Sequence, residues 1–158
     1  MRRPWNRVDL PVYSVSSNAN GNHNMHICTY VSAVSMEPKR FMVALYDGTK
    51  TRELVEKNGH FILQLLARDQ YTLIKHLGQQ SGHKKDKLAL LKKRSLLAEQ
   101  ENFYYLKDAL AIMECKVIDT IDGGDHKLFI CDILSWKNLN DGIPLTTGFL
   151  QDKKIIRA

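Results

Sequence analysis

The segment from residue 114 to 133, ECKVIDTIDGGDHKLFICDI, carries more chemically capable side chains than a turn requires. Asp122, Asp125 and His126 crowd around Gly123 and Gly124. Glycine gives a hairpin its tight turn, but an imidazole next to a carboxylate serves no turn geometry. Such a pair can orient or polarise a bound group, because imidazole changes charge near neutral pH and a carboxylate fixes its tautomer. The residues alone therefore leave two readings, a solvated turn or the rim of a site.

Two other stretches could do chemistry. DGTKT, residues 47–51, follows a strand-like run and precedes a helical one, so Thr49, Lys50 and Thr51 stand at a helix N-terminus. Free backbone N–H groups, hydroxyls and one ammonium there suit a phosphate, although threonine is also an ordinary helix cap. CTYVSAVSMEP, residues 28–38, is a strand with many small hydroxyl residues. These let a flat ligand approach the backbone, and they are equally at home on an exposed strand. The three cysteines (Cys28, Cys115, Cys131) lack metal-ligand spacing and fall in strand-like runs, which suits buried reduced thiols in a cytoplasm. His23, His26, His60, His76 and His83 are scattered without ligand spacing and read as surface residues.

The elements that must position these groups are mostly strands. Residues 10–17, 25–35, 41–46 and 60–66 read as strands, with a turn at 18–22. Between them, Thr51 is the expected N-cap of a helix that Gly59 closes, and Asp69 and Gly78 bracket a second short helix. In the opening segment Met113, Cys115, Val117 and Ile121 alternate with polar residues, and Ile118-Asp119 breaks the alternation. The return strand, 128–136, is apolar on both faces. That demands two covering surfaces, which a small closed barrel and a subunit interface would supply. Leu134 and Trp136 are expected at such an interface.

The chain has 158 residues, a net charge of +6 and a pI near 9.2. The length suits one domain over 1–158, and the charge favours an anionic partner. Six lysines or arginines against one aspartate between 84 and 94 give a local +5, within a compositionally distinct excursion at 79–100. The segment could bind phosphate, or form a solvated helix whose Leu88 and Leu91 rest on the body. It lacks the interleaved aromatics that single-stranded nucleic acid uses for stacking, which argues against that partner. There is no apolar run long enough to cross a bilayer and no signal-peptide pattern, so a cytoplasmic location is expected.

Taken in order, AVSMEP, GTKTREL, HFILQLL and AIMECKVIDTIDGGDHKLFICDI resemble the flavin reductase-like, FMN-binding split-barrel family over roughly residues 10–150. The resemblance implies a mainly β fold, a six-stranded antiparallel Greek-key split barrel, forming a homodimer with FMN near the subunit interface. It places the ring-binding strand on Cys28, Thr29, Tyr30 and Ser32, the phosphate segment on Thr49, Lys50 and Thr51, and Asp125 and His126 beside flavin and approaching nicotinamide. The implied activity is hydride transfer from NAD(P)H to flavin, with a partner oxygenase as a possible consumer. Lys39 and Arg40 depart from the family pattern after Pro38. Two other classes fit the residues: a flavin-holding electron carrier or sensor that never meets NAD(P)H, and a basic barrel binding nucleic acid or protein.

Overall fold

A computed structural model describes residues 2–157. Strand β1 (Tyr13–Ala19) turns through Asn20 and Gly21, both at positive φ (53° and 81°), into β2 (Asn22–Cys28). Asn-Gly is the pair that a two-residue hairpin turn of this hand favours. With β3 (Val31–Ser35), β4 (Arg40–Tyr46), β5 (His60–Leu65), β8 (Ala111–Asp122) and β9 (His126–Asn138), these form one sheet of order β2-β1-β5-β8-β9-β4-β3. Every neighbouring pair in it is antiparallel.

The sheet has seven strands rather than the expected six, because the run 25–35 breaks at Thr29-Tyr30 into β2 and β3. The break closes the barrel. Ala44 of β4 donates its N–H to the Tyr30 carbonyl at 2.9 Å, and the Cys28 thiol donates to the Ala44 carbonyl at 3.4 Å. The chain thus steps from one edge of the sheet to the other. A separate hairpin, β6 (Leu97–Gln100) and β7 (Phe103–Leu106), starts within the compositionally distinct segment, and no strand pattern in the sequence marks it.

Alternate residues point inward. Val15, Phe61, Leu63, Cys115, Phe129, Cys131, Val43 and Leu45 pack with Val55 of helix α1 (Lys50–Asn58). Each large apolar side chain among them contributes about 1.5–3 kcal/mol on burial. Burial also pushes the Cys28 thiol up to about 12, and all three cysteines are buried packing residues. A second core lies on the other side of β2, where Met25 meets Leu77, Leu88, Leu91 and Leu150. These come from helices α2 (Ile74–Gly78), α3 (Lys87–Lys93) and α4 (Thr147–Asp152). Leu88 and Leu91 are buried, as a helix resting on the body requires, and Asp86 caps α3 by accepting from the Leu88 and Ala89 N–H groups.

Two expected caps move. Thr49, not Thr51, caps α1, accepting the Arg52 N–H at 3.3 Å, while Gly59 at φ 77° ends the helix as expected. Thr51 lies inside the first turn, fully buried, and its hydroxyl accepts from Asn24 Nδ2 at 2.8 Å. Asp69 caps nothing. The chain there forms a 3-10 turn over Arg68–Leu73, whose start is closed by Gln70 Oε1 accepting from the Ala67 N–H at 2.9 Å.

The break at Ile118-Asp119 is a β-bulge: Val117 pairs with Cys131 and Asp119 with Ile130, leaving Ile118 as the extra residue. The bulge re-aims the end of β8, and with it the hairpin tip.

Candidate functional site

The β8–β9 tip is held by short local bonds. Gly123 N–H donates to the His126 carbonyl at 2.9 Å, and Gly124 N–H to Asp122 Oδ1 at 3.1 Å. The two glycines serve different ends. Gly124 has φ 110° and faces open space. A Cβ at Gly123 would sit 2.3 Å from Leu128 Cδ1, the movable end of a half-buried side chain, and 3.0 Å from the His126 carbonyl oxygen, so a larger residue there would make Leu128 shift. Asp47 N–H donates to the Asp125 carbonyl at 2.9 Å, tying the tip to the end of β4.

His126 Nδ1 lies 2.6 Å from Asp125 Oδ1. An ionised carboxylate only accepts, so Nδ1 carries the proton and, in the neutral ring, Nε2 is left as an acceptor. The imidazole sits between two phenol rings, with centroids 5.0 Å from Tyr30 and 5.2 Å from Tyr46. Tyr46 is its cross-strand partner in the β4–β9 ladder. Of the pair expected to form a site rim, His126 lines a cleft of about 190 Å³ together with His26, Cys28, Thr29, Tyr30, Ala44 and Tyr46, while Asp125 is outside the lining and reaches it only through His126.

Of the expected ring-binding residues, Cys28, Thr29 and Tyr30 line this cleft. Ser32 does not: it is exposed on β3, and its hydroxyl donates to the Ala33 carbonyl at 3.1 Å. Sequence reasoning missed His26, Ala44 and Tyr46. His26 is half-buried rather than a surface residue. Burial, reinforced by the Lys87 and His126 charges, pushes its pKa down to about 4, so it is neutral at neutral pH. The sequence signal for it is its alternation with Asn24 and Cys28, which puts all three on the same face of β2.

At the α1 N-terminus the hydroxyls are already committed. Thr49 Oγ1 donates to the Tyr46 carbonyl at 3.0 Å while accepting from Arg52, and Thr51 Oγ1 is held by Asn24. What this corner offers an anion is the Lys50 ammonium and the unbonded amides of the first helical turn. Tyr46 links the two halves: it lines the cleft and its carbonyl anchors the helix cap.

Toward the far end of β9, Leu134 and Trp136 are 50% and 70% exposed; a second bulge leaves Leu134 as an extra residue, and Trp136 lies opposite Met113. These apolar side chains have no cover within the described residues. Among those residues no group of three or more His, Cys, Asp or Glu could hold a metal ion, and no helix is long and apolar enough to cross a membrane.

Comparison with known proteins converges on this fold. The chain is 25% identical over 144 residues to the high molecular weight rubredoxin of Moorella thermoacetica, covering 90% of this chain and 62% of that protein. It is 24% identical over 116 residues to the reductase component of a 4-nitrophenol 4-monooxygenase/4-nitrocatechol 2-monooxygenase from Rhodococcus opacus, covering 73% of this chain and 58% of that one. It thus spans about three fifths of the length of each of these relatives. Among solved structures, an FMN-binding protein from Thermus thermophilus superposes with a TM-score of 0.77 at 21% identity, over 91% of this chain and 82% of that one. Residues 5–149, nearly the whole sheet and the cleft at its seam, match the profile of the flavin reductase like domain, and the chain belongs to that family.

Proposed function

We propose that the chain is an FMN-binding, NAD(P)H-dependent flavin reductase, a single domain that works as a homodimer. The observation that carries this reading is the joining of two half-sites by Tyr46. A cleft floored by Thr29 and Ala44 and walled by Tyr30, Tyr46 and His126 stands next to a helix N-terminus that carries Lys50. A planar heteroaromatic ring fits the first, since small residues permit close approach to the backbone and aromatic rings flank it. A phosphate fits the second.

Bound there, flavin supplies the hydride chemistry, which is the cofactor's own. The chain's part is to bind and orient. Lys50 and the first amides of α1 hold the phosphate. Cys28, Thr29 and Tyr30 bear the ring. His126, oriented by Asp125, presents Nε2 to the cleft as an acceptor that positions the carboxamide of a stacked nicotinamide. His26 remains neutral behind the ring and adds no charge.

At about 190 Å³ the cleft is smaller than the roughly 300–1,000 Å³ of a complete small-molecule site. A second copy would supply the rest of the wall, and docking on Leu134 and Trp136 would bury those exposed apolar side chains. The similarity to a monooxygenase reductase component favours a partner oxygenase that takes the reduced flavin.

The test is a visible spectrum of the purified protein with added FMN, followed by NADH and then NADPH without oxygen. Bleaching of the flavin band is expected. A bound flavin that neither nucleotide reduces would make the protein an electron carrier, and no absorbance with FMN would refute flavin binding altogether.

A further inference from the structure

The basic segment is pinned at both ends. Gly82 lies against β2, where an added Cβ would come 2.5 Å from Asn24 Oδ1, and Arg94 closes α3 with its N–H on the Leu90 carbonyl at 3.1 Å. The second end borders a cavity that the flavin reading leaves unused. It holds about 500 Å³, within the roughly 300–1,000 Å³ of a small-molecule site, and shares no lining residue with the aromatic cleft. Three stretches far apart in sequence wall it: the 3-10 turn Arg68–Leu73, the chain around Leu96 and Leu106, and the loop after β9. Backbone bonds tie these walls to their neighbours. Lys107 N–H donates to the Leu96 carbonyl at 2.9 Å, Leu139 N–H to the Leu110 carbonyl at 2.8 Å, and Arg68 N–H to the Ile143 carbonyl at 2.8 Å.

The lining divides into apolar and ionic parts. Leu106 and Leu73 are buried, and Ala67 and Leu96 add further carbon surface. Asn140 Nδ2 donates to the Lys107 carbonyl at 2.7 Å and to the Ala109 carbonyl at 2.9 Å, so this side chain sits astride Asp108. Asp108, Asn140 and Asp141 are thereby gathered in one corner, with Asn140 Oδ1 left as an acceptor. Asp69 and Gln70 form another, on the 3-10 turn. Among the described residues none of the three carboxylates pairs with a basic group, and Arg94, in the same lining, pairs with no acid. Gln70 is 6% exposed, and its Oε1 is spent on the Ala67 N–H at 2.9 Å. Its Nε2 donates to nothing among the described residues. A buried donor without an acceptor is costly, so one kept at a cavity wall marks the place of a ligand oxygen.

These groups specify a ligand. Two separate acidic corners call for two cations. A guanidinium and an amide NH₂ call for a carboxylate. The leucines between them call for methylenes. A simple diamine answers only the first and third demands, and a dicarboxylate is repelled by three acids against one arginine. We propose that this cavity binds a free basic amino acid of the lysine or arginine type. Arg94 and Gln70 hold its α-carboxylate, Asp69 its α-ammonium, and Asp108 with Asp141 the cation at the end of its side chain. The site stands apart from the flavin reading and does not depend on it.

The full-length protein is titrated by calorimetry with L-lysine, L-arginine, L-norleucine and cadaverine. A salt concentration of about 0.15 M screens attraction by distant charges beyond about 8 Å. Both basic amino acids are expected to bind. Norleucine, which lacks the side-chain cation, and cadaverine, which lacks the carboxylate, should each bind about fivefold or more weakly, as one lost ionic contact at a partly exposed site allows. The double variant Asp108→Asn/Asp141→Asn should bring lysine down to the level of norleucine and leave norleucine unchanged. Arg94→Gln should bring lysine down to the level of cadaverine and leave cadaverine unchanged. Circular dichroism checks that both variants, altered only at exposed positions, stay folded. Binding of lysine by a protein that takes no flavin would uphold this site while refuting the flavin reading. No heat from either basic amino acid at millimolar concentration overturns the proposal. So does lysine binding that neither variant alters, and so does a lysine-rich peptide preferred to the free amino acid, since the cavity then receives a protein segment.

Discussion

His126 allows the proposed chemistry to be separated from the architecture. Its side chain is 23% exposed and its ring contacts those of Tyr30 and Tyr46 at 5.0 and 5.2 Å. Aromatic contacts of this kind are worth about 0.5–1.5 kcal/mol each, so losing both in His126→Ala should cost about 1–3 kcal/mol of stability. That exceeds the few tenths expected of an ordinary exposed turn residue. A slower reaction in this variant would be ambiguous, because the loosened tyrosines are themselves the cleft walls. His126→Phe removes the ambiguity. It keeps a planar ring between the tyrosines, holding stability within about 1.5 kcal/mol of the parent, and deletes the nitrogens together with the Asp125 contact. If Nε2 positions the nicotinamide, flavin reduction should slow by roughly ten- to a hundredfold, since misplacing a reactant by about 1 Å costs that much. Flavin affinity should hardly change. The assay is anaerobic stopped-flow bleaching of oxidised flavin by NADH and NADPH, with urea unfolding alongside. An unaltered reduction rate in His126→Phe would refute the role given to the imidazole and make the tip a turn that happens to touch two tyrosines.

Other outcomes follow from the same geometry. Lys50→Ala should weaken FMN by about tenfold or more while leaving riboflavin unaffected, and equal weakening of both in equilibrium titrations would refute the phosphate assignment. Trp136→Glu, on the uncovered face of β9, should convert a dimer into a folded monomer by light scattering, whereas a parent protein already monomeric at micromolar concentration would remove the interface. Lys87 is 2% exposed, its ammonium donates to the Leu77 carbonyl at 2.6 Å, and burial, with help from the Lys50 charge, pushes its pKa from 10.5 down to about 8. The folded state thus gives up this proton more readily than the unfolded one, so the cost of burying the charge is full below about pH 8 and is relieved as pH rises toward 10.5. The stability of the parent relative to Lys87→Met should therefore increase by about 2 kcal/mol between about pH 7.5 and 10, and a difference that stays flat in urea titrations would contradict it.

The hairpin from 114 to 133 is legible in the sequence because its information is local. Alternating apolar residues set the strands, two glycines set the turn, and the interrupted alternation at Ile118-Asp119 is the trace a bulge leaves in a strand pattern. The break at Thr29-Tyr30 carries no such mark. No glycine or proline sits there, and the chain changes partner only because Ala44 waits across the seam. Thr49 and Thr51 differ in nothing a sequence displays. Asn24, distant along the chain, buries one and leaves the other to cap the helix. His26, Ala44 and Tyr46 escape a reading of the sequence for a related reason, since their convergence is made by the β4–β9 ladder and the barrel seam. The charge of residues 84–94 is plain, but its anchoring is not, because that depends on the fit of Gly82 against Asn24.

The β4–β9 ladder also bears on how the protein reaches its native state. It joins Arg40 to Asp132, 92 positions apart, and the ladder that brings them together also sets Tyr46 beside His126. Pairings of such long range must close a large loop before any contact rewards it, so they place a fold among the slower ones, in milliseconds to seconds rather than microseconds. The β1–β2 and β8–β9 hairpins close through short turns and can form early, but neither contains a whole cleft wall. The cleft comes into being only with the last and slowest closure. During refolding, fluorescence quenching of added flavin should therefore lag behind the gain of sheet signal in circular dichroism, and a nascent chain could not hold its ligand until β9, from His126 onward, had been made.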